Sequence, residues 1–178
     1  NMTNTHFVTP SGLDDKEHYT TARDLAVLAA AAMKNPDFAE IACEKSMSVQ
    51  FISPDLTRRL TNHNKLLSMY NGCVGVKTGF TKKAGRCLVS SAEKNGVHLV
   101  AVTLNASDDW NDHEKMLNYG FSKLISCPID DSGYSVTFPV VGGTSNNVVI
   151  HGSVQNSIVV NADEVPNIKR TVELPAFT

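Results

Sequence analysis

The sequence predicts an α+β fold, in which helices pack around an antiparallel sheet and a small all-β domain follows. Apolar residues recur at helical spacing over residues 21–33. Three strand-like segments follow one another between residues 73 and 104, and the last two are joined through Asn95-Gly96, the strongest short signal for a hairpin. From Asp130 the chain is rich in Val, Thr, Ser, Asn and Gly without a helical period, which favours short strands.

Three helices are expected in the first part of the chain. The first begins after Thr21, which should cap it, with Asp24 three residues later in the pattern of a capping box. The second covers about residues 37–43, with Pro36 in its first turn. The third begins after Ser107, because two aspartates follow where negative charge interacts well with the helix dipole. Its buried face should consist of Trp110, Leu117, Phe121 and Leu124.

The strands are predicted from alternation and from turn residues. Residues 46–52 alternate apolar and polar side chains and should form a strand. Residues 54–72 are polar and irregular, and we expect a loop region there. Residues 73–78, 87–92 and 97–104 should form an antiparallel meander.

The change in composition near residues 126–132 predicts a domain boundary. We divide the chain into residues 1–127 and a small β-rich domain at residues 128–178. The strands expected in the second part are residues 134–141, 147–151, 158–161 and 169–174.

Composition argues against several classes of protein. The net charge of −2 leaves no basic patch, so no nucleic-acid partner is predicted. The longest apolar run, residues 25–33, is far short of the ~20 residues of a membrane span. The four cysteines form no C-x-x-C pair and the six histidines are scattered, so neither a metal nor another cofactor is predicted, and the cysteines are interpreted as mostly buried thiols. The start at Asn1 lacks signal-peptide features and is interpreted as trimmed or processed.

The tripeptide Lys77-Thr78-Gly79 ends an apolar strand and carries the most specific chemical signal. On a strand that lines a cleft, Lys77 would be a fixed cation beside a nucleophile and a substrate carboxylate. Thr78 would add a hydroxyl for the same carboxylate. Because Gly79 has no side chain, a peptide could lie against it as an added strand. The N–H of Phe80 could then donate to a developing oxyanion. In isolation, the tripeptide is better explained as a lysine at a turn, and only its context favours a site.

Several segments together resemble the serine-type D-alanyl-D-alanine carboxypeptidases, the low-molecular-mass penicillin-binding proteins. Lys-Thr-Gly is one of three signature motifs of penicillin-binding proteins and serine β-lactamases. Residues 1–14 are similar to the family's loop G-M-x-x-T-x-F-x-x-P-x-G-L, and residues 21–26 to its helix start [ST]-[AT]-x-D-[LM]-A. Residues 61–67 match T-N-x-N-x-L-L, and the part from Asp130 resembles the family's small β-rich domain.

The resemblance implies a fold and a reaction. Residues 1–127 would be the C-terminal part of a penicillin-binding, β-lactamase-like catalytic domain. A serine would attack the bond between the two terminal D-alanines of a peptidoglycan stem peptide, form an acyl-enzyme and need no cofactor. Lys77, Thr78 and Gly79 would bind substrate, with Lys77 beside the catalytic serine, and the Phe80 N–H would be half of the oxyanion hole. β-Lactams would inhibit the intact enzyme, on the outer face of the bacterial plasma membrane.

Two further motifs of the family, S-x-x-K and S-x-N, are not found in their expected places. Residues 91–94 fit S-x-x-K but lead into the Asn95-Gly96 turn, and residues 145–147 fit S-x-N but lie in the β-rich part, so both matches are interpreted as coincidences. The chain is therefore expected to be a C-terminal portion, inactive alone, whose partner is a missing N-terminal segment of the same protein.

Some assignments stay open at this stage. Asp14 lies in the loop that would approach the cleft rim, where it would position water or stabilise a turn. His63 would contact substrate or serve as an ordinary hydrogen-bonding residue. An alternative function is a non-catalytic module that binds the cell wall and keeps part of the fold.

Overall fold

The computed structural model describes residues 2–153, 155–169, 171 and 173. The chain divides into two compact units, Asn1–Ser122 and Lys123–Thr178. Helices and antiparallel strands occur together in the first unit, so the predicted α+β class is confirmed. No helix in the described part of the chain is long and apolar enough to cross a membrane.

Four α-helices are described in the chain, all beginning in the first unit: α1 Ala22–Ala32, α2 Pro36–Cys43, α3 Leu66–Met69 and α4 Asp109–Lys123. The Thr21 side chain caps α1 by accepting from the Asp24 N–H at 3.1 Å, as predicted. The Asp24 carboxylate accepts bonds from the opening loop, at Asn4 and Thr5. Thr21 thus fixes the start of α1. The Asp24 carboxylate fixes the opening loop against it.

A three-stranded antiparallel sheet forms from β3 Cys73–Thr81, β4 Gly85–Lys94 and β5 Val97–Thr103, in the order β3-β4-β5. The predicted meander is therefore confirmed. Asn95 and Gly96 have φ values of 51° and 75°, the left-handed conformation that a tight hairpin turn requires. β3 is three residues longer than predicted, so Lys77-Thr78-Gly79 lies within the strand and not at its end.

Residues 54–72 are more ordered than predicted. β1 Ser46–Phe51 pairs with β2 Leu56–Thr61 in a hairpin, and α3 follows. The expectation of an irregular region was wrong because β2 is stabilised by its partner strand: Leu56 pairs with Phe51, and Leu60 with Met47. β2 is mostly exposed, so its own sequence shows no clear inward face.

The largest buried cluster joins the sheet to α3 and α4. Its members are Leu66, Tyr70, Leu88, Ala92, Ala101 and Leu117. Trp110 and Phe121 of α4 are partly buried against it, as predicted. Leu124 was predicted on the same helix face, but it begins the next strand. This packing fixes β4, the central strand of the sheet, and β4 is hydrogen-bonded to β3.

The described residues of the second unit form two antiparallel pairs and a 3-10 helix. β6 Leu124–Asp130 pairs with β9 Gln155–Asn161, and β7 Ser135–Pro139 pairs with β8 Asn147–His151. The 3-10 helix covers Ala162–Asn167. β6 spans the predicted division between residues 127 and 128. The strand predicted at residues 169–174 lies partly outside the described residues.

Candidate active site

A cleft of about 1250 Å³ lies in the first unit beside the Lys77-Thr78-Gly79 strand. Its wall combines β3 with the opening loop, the chain between β2 and α3, and the starts of β4 and α4. Of the predicted site residues, this cleft brings together His63, Lys77, Thr78, Gly79 and Phe80.

Strand β3 lies at an edge of its sheet. Among the described residues it pairs with β4 alone, with Lys77 opposite Val89 and Gly79 opposite Cys87. Its other edge is therefore free of strand partners in this part of the chain. The side chain of Phe80 is 70% exposed, so it is not packed against the rest of the described chain. An extended peptide can add to such an edge through main-chain hydrogen bonds.

Gly79 is not needed for the backbone conformation. Its φ is outside the positive region that favours glycine. A Cβ at this position would meet only Cys87 Cβ, at 3.9 Å, which is an ordinary contact. Neither strain nor close packing explains the glycine, and its position on the cleft wall leaves that wall open beside the strand edge.

Lys77 presents an exposed ammonium group to the cleft. Its Nζ donates to the Thr78 carbonyl oxygen at 2.6 Å. No carboxylate of the described residues forms an ion pair with it. Lys77 therefore has its charge available for an anionic ligand.

Asp14 does not line the cleft but ties the opening loop to β3. Its carboxylate accepts a hydrogen bond from Thr81 Oγ1 at 2.8 Å, and the same hydroxyl accepts from the Ala84 N–H at 2.9 Å. Residues 10–13 of the loop lie on the cleft wall. The contact of Asp14 is thus with the end of the motif strand.

A second anchor of the opening loop is the Asp24 carboxylate. It accepts from Thr5 Oγ1 at 2.7 Å and from the Asn4 N–H at 3.0 Å. The hydrogen bond from Thr5 is the main reason why the pKa of Asp24 is lowered. The ionised carboxylate therefore fixes the loop against α1.

His63 lines the cleft in a turn that two asparagines hold. Asn62 Oδ1 accepts from the Asn64 N–H at 2.9 Å, and Asn64 Oδ1 accepts from the Leu66 N–H at 3.2 Å. Asn62 Nδ2 also donates to the Glu44 carbonyl oxygen at 3.0 Å. These bonds give the T-N-x-N-x-L-L segment a structural role in placing His63.

Sequence reasoning missed an ion pair in the cleft wall. Arg86 donates to Asp109 through Nη2 at 2.6 Å and through Nε at 3.2 Å. The two residues are 23 positions apart, and no local pattern connects them. The hydrogen bond to Asp109 raises the pKa of Arg86 above its ordinary value.

A buried histidine behind the cleft was also missed. His113 is fully buried, with Ser90 Oγ at 2.6 Å from Nδ1 and Thr103 Oγ1 at 3.0 Å from Nε2. Burial lowers its pKa to about 4, so the ring is neutral at pH 7. It joins β4 and β5 to α4.

The two literal motif matches have structures unsuited to catalysis. Ser91 is fully buried on β4, where it bonds to His98, and Lys94 lies 4.0 Å above the Tyr70 ring. Residues 91–94 form the end of β4 and lead into the Asn95-Gly96 turn, so they are not the helix that S-x-x-K needs, as predicted. Ser145 lies before β8 in the second unit. Among the described residues, no cluster of three metal-binding side chains occurs.

Comparisons with known proteins agree with this geometry. The D-alanyl-D-alanine carboxypeptidase family matches residues 1–108. The D-alanyl-D-alanine carboxypeptidase DacC of Escherichia coli is 34% identical over an alignment of 179 positions, which covers 97% of this chain and 43% of that protein. DacB2 of Mycobacterium tuberculosis is 35% identical over an alignment of 128 positions, which covers 67% of this chain and 43% of that protein.

Solved structures give the same result. The Streptomyces K15 DD-transpeptidase is 34% identical with a TM-score of 0.61, over 66% of this chain and 48% of that one. The chain thus spans less than half the length of these relatives. The match over residues 1–108 covers well over half of the chain, which therefore belongs to the D-alanyl-D-alanine carboxypeptidase family.

Proposed function

We propose that this chain forms the substrate-docking wall of a serine-type D-alanyl-D-alanine carboxypeptidase. The enzyme would remove the terminal D-alanine from peptidoglycan stem peptides. One observation carries the proposal: the Lys77-Thr78-Gly79 strand has no partner on one edge among the residues that the structure describes, and it faces a cleft of about 1250 Å³. Family membership supports the same reaction.

In this proposal the residues of β3 hold the peptide for attack. The stem peptide lies along β3 as an added strand, and Gly79 gives it room. Lys77 and Thr78 bind its terminal carboxylate, and the Phe80 N–H donates to the oxyanion of the tetrahedral intermediate. His63 and the loop that Asp14 anchors border the same cleft.

The nucleophile is proposed to come from a further segment of the same protein, which carries S-x-x-K and S-x-N. The serine oxygen attacks the carbonyl carbon of the penultimate D-alanine while its proton passes to a base. The peptide bond breaks, and the amine of the last D-alanine leaves with a proton. Water then hydrolyses the acyl-enzyme. β-Lactams would acylate the same serine, and the enzyme would work outside the plasma membrane.

The test uses the complete enzyme, meaning this chain together with the segment that carries the nucleophile. Lys77→Ala should slow acylation by a labelled penicillin by about tenfold or more, equivalent to about 1.4 kcal/mol in the barrier. Lys82→Ala and Lys83→Ala are matched controls, because both lysines are exposed at the turn after β3, where a charge contributes ~1 kcal/mol or less. Equally small effects at all three lysines would remove Lys77 from the site.

A further inference from the structure

A second pocket of about 500 Å³ lies at the open end of the β1–β2 hairpin, away from its turn. Its wall is formed by the start of β1, the end of β2 and the chain that leads into and through α3. It contains no residue of β3, but it shares Thr61, Asn62 and Lys65 with the cleft, so the two spaces adjoin. We call this space the basic pocket.

The basic pocket is lined by cations without a balancing acid. Lys45, Arg59 and Lys65 lie on its wall, which has no aspartate or glutamate among the described residues. In this part of the chain none of the three forms an ion pair, since the ion pair found there joins Arg86 and Asp109. Like charges that share a small space repel one another, and a bound anion relieves that repulsion.

The register of the hairpin directs Arg59 to the basic pocket. Ser46 is opposite Thr61, so these two residues share a face, and Arg59, two positions before Thr61, belongs to it as well. Arg59 Nη2 donates to Ser46 Oγ at 2.7 Å, which fixes the guanidinium on that face. Because a guanidinium has five donors, most of its planar fork stays available to an oxyanion.

The neighbouring arginine of β2 points the other way. Arg58 belongs to the opposite face of the hairpin, because side chains alternate along a strand. Its guanidinium carbon lies 5.6 Å from the centre of the Phe51 ring, and it does not line the basic pocket. The two arginines therefore differ in surroundings while carrying the same charge on the same strand.

A buried amide on the wall of the basic pocket lacks a partner. Asn64 is 2% exposed, and its Nδ2 has no hydrogen-bond acceptor among the described residues. The Leu66 N–H donates to Asn64 Oδ1 at 3.2 Å, which identifies the oxygen end of the amide and leaves the nitrogen as the unused end. A buried donor without an acceptor is unfavourable, and an oxyanion in the pocket would satisfy it.

We propose that the basic pocket binds an oxyanion, a carboxylate or a phosphate, which the cell-wall polymer carries beside the peptide that is cleaved. Arg59 and Lys45 balance its charge, and Asn64 Nδ2 donates to one of its oxygens. Lys65 lies on the wall of both spaces and so connects this site with the cleft. That the ligand belongs to the cell wall rests on the proposed function, whereas the preference for an oxyanion does not.

The experiment uses the complete enzyme in two measurements. Calorimetric titration with inorganic phosphate measures binding without any turnover. The kcat/KM for D-alanine release is compared between an acyl-D-alanyl-D-alanine with a free carboxylate on the residue before the two D-alanines and the same peptide with that carboxylate amidated. Saturable binding of phosphate identifies a phosphate as a ligand, and a preference for the acid peptide identifies a carboxylate of the peptide.

The pair of neighbouring arginines provides the variant and its matched control. Arg59→Gln should weaken phosphate binding, or the preference for the acid peptide, by about tenfold or more, the size expected for one lost hydrogen bond to a charged group. Arg58→Gln removes the same charge from the opposite face and should change either quantity by less than about twofold. Lys45→Gln should act in the same direction as Arg59→Gln and serves where that variant does not fold.

Three results would overturn the inference. The first is the absence of saturable phosphate binding together with equal kcat/KM for the two peptides. The second is an equal loss in Arg59→Gln and Arg58→Gln, since a long-range effect of charge would then explain both. The third is a lower midpoint of thermal unfolding in Arg59→Gln with unchanged binding, which would make the cations structural contacts of the segment outside this chain.

Failure of the proposed function looks different. Neither peptide would then release D-alanine, but the binding of inorganic phosphate and its weakening in Arg59→Gln would still be measurable.

Discussion

Gly79 shows most clearly how a single residue can shape the proposed dock. Its φ is not positive, and an added Cβ would make only an ordinary contact with Cys87. A side chain at residue 79 would therefore fit the strand, but it would disturb the peptide that we propose to lie along β3. Gly85, the first residue of β4, is the opposite case: its φ is 69°, and an added Cβ would collide with Asn105.

Gly79→Val in the complete enzyme should slow penicillin acylation by about tenfold or more. The acylation rate of Gly79→Ala should lie between that of Gly79→Val and that of the unsubstituted enzyme. The midpoint of thermal unfolding should not fall, because a β-branched residue suits a strand. Gly133→Val is the control, since Gly133 lies outside the cleft with open space around it. Unchanged acylation in both Gly79 variants would mean that no peptide docks along β3 at this position.

Individual residues differed in how well the sequence predicted them. Lys77, Thr78 and Gly79 stand together in a short motif, so their shared strand was predictable. Arg86 and Asp109 meet only because β4 and α4 pack against each other. Such a pair follows from the tertiary structure and carries no local signal. The same is true of His113, whose partners lie on two different strands.

At the scale of the elements, α4 is connected to the sheet by a neutral histidine. Each ring nitrogen of His113 is hydrogen-bonded to a hydroxyl, one from β4 and one from β5, and the neutral ring donates to one and accepts from the other; the residue is fully buried. The start of the same helix carries Asp109 and Trp110 to the cleft wall. His113 lies three to four residues after Trp110 and Asp109 on α4. Its contacts with β4 and β5 therefore help to set the position of the cleft wall.

The stability of the chain should fall between about pH 6.5 and pH 4. The pKa of His113 is about 4 in the folded protein and ordinarily 6.5, so in this range the unfolded chain binds the extra proton. A proton bound only by the unfolded state destabilises the fold, here by up to about 3 kcal/mol. Urea unfolding of the 178-residue chain, followed by its single tryptophan, Trp110, measures this loss.

His113→Gln separates this histidine from the other five. The variant should be less stable at pH 7.5, but its stability should depend much less on pH between pH 6.5 and pH 4. If its stability fell as steeply with pH as that of the unsubstituted chain, the effect would belong to another group. Asp24 titrates in a different window: its pKa is lowered, so its stabilising contribution disappears only at more acidic pH.

Elements with a strong local pattern were predicted well. The first helix, its Thr21 cap and the Asn95-Gly96 hairpin each carry a local signal, and each is confirmed. β2 was missed because it is exposed along most of its length and gains its order from β1. β6 was missed because its residues lie where the composition changes, and its pairing partner β9 is about 30 residues away.

At the scale of the whole molecule, we propose that this chain supplies the substrate wall and that another segment supplies the nucleophile. The wall is present in the first unit, with the motif strand, the opening loop and α4 around one cleft. The literal S-x-x-K match is buried strand and offers no accessible serine.

The most direct test is an assay of D-alanine release from a D-Ala-D-Ala peptide, run with the 178-residue chain and with the complete enzyme under the same conditions. We expect no release by the chain alone, because its S-x-x-K match at residues 91–94 lies on strand β4 with Ser91 fully buried, and release by the complete enzyme. Turnover by the chain alone at an ordinary enzymatic rate, about 1 per second or faster, would contradict the division of roles. A complete enzyme that releases no D-alanine would contradict the proposed reaction itself.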